Sequence, residues 1–314
     1  MKIAFFWTWE FSKNILEDLI KKEDLDIKLV VSQPDKPVWR KKEIIATPVK
    51  ELAIKNSINV LQPMKLRENN EFFDTLKDLE LDFIIVVAYW KIVPKEVLNS
   101  AKYWCINIHW SILPKYRWAS PIQESIKSWD EETGVTIMYM SEWMDEWDIL
   151  KIEKVKIEKY DKTEDIFKKF EKIAPDVLVE TLRWIIKKEI KAIKQDEGQA
   201  TYCSKIEKKD WEINWKQETA KQIFCKFKAY KSWPWVFSYY KNKKISFEDI
   251  DYSDEKISSE AWKIIKNEKQ IFVSTINWTI ILKKVKLEWK KEMDINTFIN
   301  WNKDFLEYNF LNNA

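Results

Sequence analysis

Glycine is nearly absent from this chain, which has 2 glycines among 314 residues. An average usage of about 7% predicts roughly 22 glycines in a chain of this length. Turns need positive φ or a close approach of the backbone at many positions, and glycine is the residue that usually provides both. Most turns of this protein must therefore be made by residues of another type.

Histidine and cysteine are also scarce, with 1 His and 3 Cys in the whole chain. Cys105, Cys203 and Cys225 are scattered without Cys-x-x-Cys spacing, which argues against a disulfide framework and against a zinc site of that kind. A single His makes a transition-metal cluster improbable, so we expect no metal. This cysteine usage is typical of a reducing compartment, and we expect a cytoplasmic protein.

Long hydrophobic runs are missing as well. No stretch approaches the roughly 18 apolar residues of a membrane span, so we expect no membrane association. The apolar run over residues 3–7 is too short for the core of a signal peptide and meets Glu10 almost at once, which predicts a first strand. Hydrophobic residues make up 46% of the chain and charged residues 33%, enough for one or two soluble domains with a real core.

Tryptophan is the residue in excess, with 19 in the chain. Many stand in turn contexts rich in charge and proline, where a Cβ at positive φ costs roughly 1–2 kcal/mol. Examples are Trp7, Trp9, Trp39, Trp118, Trp143 and Trp147. We interpret most of them as recoded glycines, from a gene whose UGA codons mean glycine. A Trp-rich carbohydrate-binding module is the alternative, but its tryptophans would lie on strand faces rather than in turns.

Apolar runs alternate with helical periodicity through the first half of the chain. This order predicts an α/β fold with a doubly wound parallel sheet, whose site lies at the carboxyl ends of the strands. The predicted strands cover residues 2–6, 27–32, 58–62, 83–88, 105–109, 134–140 and 150–157. The predicted helices cover residues 10–21, 47–56, 70–79, 121–128 and 163–187.

The pattern changes after residue 187. Polar sequence over 188–205 predicts a linker between a first domain of residues 1–187 and a second domain of residues 206–314. Short alternating segments in the second domain predict a smaller β-barrel of the OB type. The segments are residues 224–230, 236–240, 261–266, 270–275 and 279–284.

A basic and aromatic stretch lies at residues 216–244, with eight Lys against one acid, Glu218. Basic and aromatic residues together suit a nucleic-acid backbone. A solvated lysine-rich face over an aromatic core is the alternative reading of the same residues.

The strand predicted at residues 105–109 places Asn107 and His109 on the same face. An amide donor beside an imidazole suits acyl transfer, because the amide supports a developing oxyanion and the imidazole transfers a proton. A structural imidazole is the alternative. Asp145 follows in an acidic loop, where turn capping is the competing explanation.

A nicotinamide cofactor is not expected, although Trp7-Thr8-Trp9 reads as Gly-Thr-Gly after the first strand. A dinucleotide-binding motif would need a third glycine where Ser12 stands, and an acid at the end of the second strand, where Ser32 and Gln33 stand.

Several longer segments carry a resemblance once their tryptophans are read as glycine. They are residues 6–12, 33–40, 88–94, 106–123, 133–138, 200–202, 208–215 and 232–235. Together they resemble the methionyl-tRNA formyltransferase family over essentially the whole chain. The family pattern has tryptophan at Trp215 and Trp233, and the resemblance thus implies that about 17 of the 19 are glycine, close to the expected number.

The resemblance implies transfer of a formyl group from 10-formyltetrahydrofolate to the α-amino group of initiator methionyl-tRNA, by a monomer. Asn107, His109 and Asp145 would be the catalytic residues. Asn107 would hold the carbonyl oxygen, and His109 would stabilise the tetrahedral intermediate and assist proton movement toward the folate nitrogen. Asp145 would orient His109 and, through water, help to remove the amine proton.

The resemblance also implies binding residues for both substrates. The folate-binding stretch would be Ser111, Ile112, Leu113 and Pro114. Arg40 would be the key contact of the loop that meets the tRNA acceptor stem, with Lys41 and Lys42 as phosphate binders.

Two other functions remain open at this stage. One is a different folate-dependent formyltransferase or hydrolase, acting on a nucleotide, a sugar amine or water. The other is a catalytically impaired RNA-binding protein, which applies if the tryptophans are real and crowd the folate crevice.

Overall fold

The computed structural model describes residues 1–7, 11–38, 43–87, 89, 92–141, 145–255 and 262–310. The chain forms two compact units. The first comprises Met1–Pro121, Glu132–Lys156 and Phe167–Cys203, and the second Ile122–Glu131, Ile157–Ile166 and Ser204–Ala314. Most of the predicted linker is therefore packed within the first unit. The predicted domain limits at residues 187 and 206 stay predictions.

The strands of the first unit largely follow the predicted apolar runs. They are β1 (Lys2–Phe6), β2 (Asp26–Val31), β3 (Lys36–Val38), β4 (Glu43–Ile45), β5 (Asn59–Leu61), β6 (Phe83–Val87), β7 (Cys105–His109), β8 (Arg117–Trp118), β9 (Glu132–Tyr139), β10 (Ile149–Lys156) and β11 (Tyr202–Cys203). Seven of them form one sheet in the order β10-β9-β7-β6-β1-β2-β5. Strands β7, β6, β1, β2 and β5 run parallel, and β9 and β10 are antiparallel.

Among the described residues, helices form at the five predicted positions and also at residues 95–98, 220–230 and 295–301, where the sequence pattern predicts none. They are α1 (Phe11–Ile20), α2 (Pro48–Lys55), α3 (Asn70–Asp78), α4 (Lys95–Leu98), α5 (Pro121–Lys127), α6 (Thr163–Lys187), α7 (Ala220–Tyr230) and α8 (Ile295–Trp301). Short 3₁₀ turns cover Glu197–Gln199, Lys208–Trp211 and Lys303–Glu307. None of the described helices is long and apolar enough to cross a membrane.

Both faces of the parallel sheet are buried. Every residue of β6 is buried, which is typical of a central parallel strand covered on both sides. On one face, Ala4 and Phe6 pack with apolar residues of α3 and α4. On the other face, Ile3 and Phe5 are also fully buried. The predicted α/β fold with a parallel sheet is confirmed.

The strand order reverses direction beside β1. From β1 the chain moves outward through β2 and β5, and then returns to β6 and moves outward on the other side through β7. In sheets of this kind, ligands bind at the carboxyl ends of the strands next to the reversal. The carboxyl end of β7, which is one strand removed from that point, carries the predicted catalytic pair.

The second unit contains an antiparallel sheet, as the predicted smaller β domain requires. Its strands are β12 (Phe237–Tyr240), β13 (Lys243–Ser253), β14 (Ile264–Asn267), β15 (Gln270–Ser274), β16 (Thr279–Leu287) and β17 (Met293–Asp294). They pair in the order β12-β13-β16-β15-β14, and β17 pairs with β16.

The prediction of an extended segment at residues 224–230 is wrong, because these residues belong to helix α7. Thr219 accepts a hydrogen bond from the Gln222 backbone, and the Gln222 side chain in turn accepts one from the Thr219 backbone. This capping box starts a helix. The buried residues Ile223, Phe224 and Phe227 then recur at helical spacing.

Strand β13 is the longest of the second sheet, and the sequence pattern did not reveal it. Ile245, Phe247 and Ile250 are its buried hydrophobic residues. The pairing with β16 shifts between Phe247 and Asp249 and again before Ile250. A shift of this kind breaks the period of two on which strand prediction depends.

Candidate active site

Strand β7 carries Asn107 and His109 on one face near its carboxyl end. Ile106 and Ile108 alternate with them and are buried, because successive side chains of a strand point to opposite faces. Strand β7 lies between β6 and β9. The two polar side chains therefore start from an interior strand of the sheet.

Asp145 meets this pair from the connection between β9 and β10. Its Oδ1 accepts a hydrogen bond from Asn107 Nδ2 at 3.3 Å and lies 3.5 Å from His109 Nδ1. Its Oδ2 accepts a hydrogen bond from the backbone N–H of Trp118 at 2.9 Å. The side chains of His109 and Asp145 are only 6% and 15% exposed. The three predicted catalytic residues thus form one cluster.

The hydrogen bonds of His109 define the orientation of its ring. Its Nε2 lies 2.9 Å from the carbonyl oxygen of Tyr116. A carbonyl oxygen only accepts hydrogen bonds, so Nε2 carries a hydrogen and donates it. The other ring nitrogen, Nδ1, then faces Asp145. Tyr116 and Asp145 have φ of 60° and 58°, a local strain that is typical of functional sites.

The predicted folate-binding stretch, residues 111–114, follows β7 directly and is anchored to β9. Thr136 Oγ1 donates to the carbonyl oxygen of Ser111 at 2.6 Å and accepts from the backbone N–H of Leu113 at 3.3 Å. Ser111 and Leu113 are buried, whereas Ile112 and Pro114 are partly exposed. The stretch is thus anchored to the sheet, and Ile112 and Pro114 keep part of their surface exposed.

Gly134 keeps β9 and β10 close together under this stretch. A Cβ at Gly134 would lie 2.6 Å from the backbone oxygen of Glu153 and 3.0 Å from Ile112 Cγ1. Only glycine permits that approach. One of the two glycines of the chain is therefore used where Ile112 meets the sheet.

Arg40, Lys41 and Lys42, the predicted tRNA-binding residues, lie outside the described residues. The strands on either side of them, β3 and β4, pair with each other. Gln62 and Lys50 contact Asp35, which precedes β3, at 2.7 Å and 2.5 Å. Hydrogen bonds from Gln62 and then from Lys50 hold the pKa of Asp35 below its usual range.

Several lysines of the basic stretch at residues 216–244 are engaged within the second unit. Lys226 pairs with Glu218 at 2.5 Å, and Lys231 pairs with Glu248 at 2.7 Å. Lys228 is buried, and its Nζ donates to the backbone oxygen of Lys159 at 2.9 Å. Burial lowers the pKa of Lys228. Part of this stretch therefore stabilises its own unit.

Sequence reasoning missed two groups that contact the cluster. One is the backbone N–H of Trp118, and the other is Gln195, which hydrogen-bonds to the turn that carries Asp145. Neither a backbone donor nor a glutamine in a polar segment has a sequence signal. Among the described residues, no group of three or more His, Cys, Asp or Glu could hold a metal ion.

Family models match both halves of the chain. The model described as formyl transferase matches residues 1–182, and the model described as formyl transferase, C-terminal domain, matches residues 205–303. The methionyl-tRNA formyltransferase of Caldicellulosiruptor saccharolyticus is 42% identical over 303 residues, covering 96% of this chain and 96% of the relative. The chain belongs to the methionyl-tRNA formyltransferase family.

A second member of the family agrees with this assignment, and a solved structure shares the fold. The methionyl-tRNA formyltransferase of Clostridium tetani is 37% identical and covers 96% of this chain and 97% of its own length. A solved N-formyltransferase from Helicobacter canadensis, in complex with folinic acid and dTDP-3-aminofucose, matches with a TM-score of 0.66 and 18% identity. The match covers 90% of this chain and 98% of that one. At that identity, the likeness concerns the fold.

Proposed function

We propose that the cluster of Asn107, His109 and Asp145 catalyses transfer of a formyl group from 10-formyltetrahydrofolate to the α-amino group of initiator methionyl-tRNA. The observation that carries this proposal is the Asp145 carboxylate, which contacts both Asn107 Nδ2 and His109 Nδ1. It does so in a chain 42% identical to a methionyl-tRNA formyltransferase. The reaction serves translation initiation, and we expect a cytoplasmic monomer.

Asn107 and His109 are suited to stabilise charge on the formyl oxygen. Amine attack on the formyl carbon moves an electron pair onto that oxygen. Fixed N–H donors stabilise the negative charge that develops there in the transition state. Asn107 Nδ2 is one donor. His109 Nε2–H is the other donor. In the reaction its hydrogen bond moves from the Tyr116 carbonyl oxygen to the formyl oxygen. The same hydrogen passes to the folate nitrogen as that nitrogen leaves, while Nδ1 takes up from Asp145 the proton that the carboxylate receives from the amine, so that His109 ends neutral and Asp145 ionised.

Asp145 orients the side chains of Asn107 and His109 and takes part in removing the amine proton. Its two oxygens are held by Asn107, His109 and the Trp118 backbone, so the carboxylate has a defined direction. The attacking amine must lose a proton, and a carboxylate reached through one water accepts it. We assign folate binding to residues 111–114, which follow β7 in the sequence.

His109→Ala tests the catalytic role. Loss of the donor and of the proton carrier should lower kcat for methionyl-tRNA formylation by about 10²- to 10⁴-fold. The affinity for methionyl-tRNA, measured by filter binding, should remain nearly unchanged. An active variant contradicts the mechanism, and formylation of a sugar amine or nucleotide without formylation of methionyl-tRNA contradicts the substrate.

Arg40→Ala tests the proposed tRNA loop, in which Arg40 contacts the acceptor stem and Lys41 and Lys42 bind phosphates. A charge-assisted hydrogen bond contributes about 1.5–3 kcal/mol, so KM for methionyl-tRNA should rise about tenfold or more. KM for the folate should change little. Lys77→Ala, an exposed lysine of α3, is the control. A larger effect on the folate KM than on the tRNA KM contradicts the loop assignment.

We also propose that most tryptophans in this chain are glycine in the native protein. Seven tryptophans of the described chain adopt φ between 60° and 95°, in the left-handed region where a bulky residue is an outlier. They are Trp104, Trp118, Trp129, Trp235, Trp262, Trp278 and Trp289. Glycine adopts this region without the Cβ cost, which supports the recoding hypothesis.

Trp215 provides the contrast, because the family pattern has a tryptophan there. It is 2% exposed, stacks on Phe310 with ring centroids 4.7 Å apart, and donates from Nε1 to Ser238 Oγ at 2.9 Å. A buried indole with a partner for its N–H is what a real tryptophan requires. Trp289, in contrast, is 94% exposed.

The coding DNA and the intact mass of the native protein test the recoding proposal. We expect UGA at the recoded positions and UGG at Trp215 and Trp233. The native polypeptide should be about 2 kDa lighter than the 38.1 kDa of the printed sequence, if about 17 residues change. UGG at Trp118 and Trp289, or the full printed mass, contradicts the proposal.

A further inference from the structure

Gln195 lies against the turn that carries Asp145, although it is 50 positions away along the chain. Its Nε2 donates to the backbone oxygen of Asp145 at 2.8 Å and to that of Trp147 at 2.6 Å. Gln195 is only 5% exposed. Both acceptors are backbone oxygens, so the contact is the same whether residue 147 is tryptophan or glycine.

The other end of the same amide is held by Arg117. Gln195 Oε1 accepts from Arg117 Nε at 3.1 Å and from Arg117 Nη2 at 2.9 Å. A guanidinium only donates and a carbonyl only accepts, so the orientation of the amide is unambiguous. All four hydrogen-bonding positions of the amide are used, which only a glutamine or asparagine side chain could provide.

Arg117 is itself fixed by the same polar segment. It has no exposed surface, and its Nη1 and Nη2 donate to the two carboxylate oxygens of Glu197 at 2.9 Å and 2.8 Å. Nη1 also donates to the Tyr202 hydroxyl at 3.1 Å. Ile193, just before Gln195, pairs with Ile149 through two backbone hydrogen bonds of 2.8 Å. The support behind Gln195 is therefore rigid.

We propose that Gln195 is a positioning residue for the formyl transfer, which holds the strained Asp145 turn so that the carboxylate meets His109 and Asn107. This proposal rests on the proposed function, because it assigns a task to Asp145. Asp145 has φ of 58°, and its backbone needs an external restraint to stay in that conformation. The two hydrogen bonds from Gln195 Nε2 are that restraint.

The test compares Gln195→Glu with Gln199→Glu in the full chain. Gln195→Glu keeps an acceptor for Arg117 but places a carboxylate oxygen against two carbonyl oxygens, so the turn must move. Gln199 is an exposed residue of the same segment whose amide contacts the exposed Asp196. In Gln199→Glu the two carboxylates can separate into solvent, so this substitution should leave kcat unchanged. Gln195→Asn, which keeps the amide on a shorter side chain, is the second variant if Gln195→Glu fails to fold.

Two readouts separate positioning from general stability. The first is steady-state kinetics: Gln195→Glu should lower kcat about ten- to hundredfold, since displacement by about 1 Å can cost that much. Both KM values should stay within about twofold, because substrate binding is not the target. The second is the ¹⁵N spectrum of the imidazole, which is unique because His109 is the only histidine of the chain. Its Nδ1 signal should shift in Gln195→Glu, measured on protein without a histidine tag.

The outcomes distinguish this proposal from the one on which it rests. A kcat within about twofold of the parent protein overturns the role of Gln195, and so does a lower kcat with an unchanged Nδ1 signal. Asp145→Ala is measured alongside. If Asp145→Ala is inactive and Gln195→Glu is active, only the positioning role fails. If Asp145→Ala is fully active, the proposed function of Asp145 fails first.

Discussion

Single residues in the left-handed region determine much of the local strain in this molecule. Trp289 combines a φ of 62° with nearly complete exposure, so its side chain costs backbone energy and gains little packing. Trp301 is also exposed, at 82%, but it ends helix α8 with ordinary helical backbone. The two positions separate the effect of φ from the effect of exposure.

Replacement by glycine should have opposite effects at these two positions. In protein made with the printed sequence, Trp289→Gly should raise the free energy of unfolding by roughly 1 kcal/mol, because relief of strain exceeds the added entropy of the unfolded chain. Trp301→Gly should lower it by about 0.5–1 kcal/mol, because glycine disfavours helix. Urea denaturation measures both. Destabilisation of equal size at both positions would show that φ is not the cause.

At the scale of elements, a polar network lies at the end of β2, a few residues before the predicted tRNA-binding residues in the sequence. Asp35 accepts from Gln62 and Lys50, and Gln62 also donates to Ser32 Oγ at 3.2 Å and to the backbone oxygen of Gln33 at 2.8 Å. This network joins β2, α2 and the residue after β5. It holds the chain just before β3, which residues 39–42 follow in the sequence.

Asp35 should make the stability of this network dependent on pH. Its pKa is lower in the folded chain than the ordinary aspartate value of 3.8, so its contribution to stability is present above that value. The contribution is lost as the pH falls below about 4 through the folded pKa. The parent protein should therefore lose more stability than Asp35→Asn between about pH 4 and pH 2, as urea midpoints at each pH would show. Parallel pH profiles for the two proteins contradict this.

Elements also show where sequence patterns stop being sufficient. Strands β1, β6 and β7 were predicted because buried parallel strands are continuous apolar runs. Strand β13 is not predicted by its sequence pattern, because register shifts break its alternation of buried and exposed residues. Helix α7 is predicted as an extended segment, because its aromatic residues alternate approximately with polar ones. The capping box at Thr219 was the local signal that could have corrected the second error.

For the whole molecule, the distribution of charge matters more than its net value. The formal net charge is only +3, and several lysines at residues 216–244 are paired within the second unit. Arg40, Lys41 and Lys42 together provide three consecutive positive charges in the sequence. We expect the interaction with tRNA to depend on these local charges.

The two substrates should therefore respond differently to salt. Each phosphate neutralised by a basic residue adds about 0.7–0.9 to the slope of log affinity against log salt. With about three such contacts, KM for methionyl-tRNA should rise roughly tenfold or more between about 50 and 200 mM salt. KM for the folate should change far less. An equal salt response of the two KM values contradicts phosphate binding by this loop.

The sequence by itself determined the α/β class, the central strands, the pairing of Asn107 with His109 on one face, and the anomaly of the tryptophans. Each of these follows from residue composition or from the spacing of apolar residues, which can be recognised within a few neighbouring positions. Only the tertiary structure decided that Asp145 meets Asn107, 38 positions away, and that Gln195 holds the Asp145 turn. Hydrogen bonds between distant segments produce no periodic pattern in the sequence, because their geometry exists only after the sheet has formed.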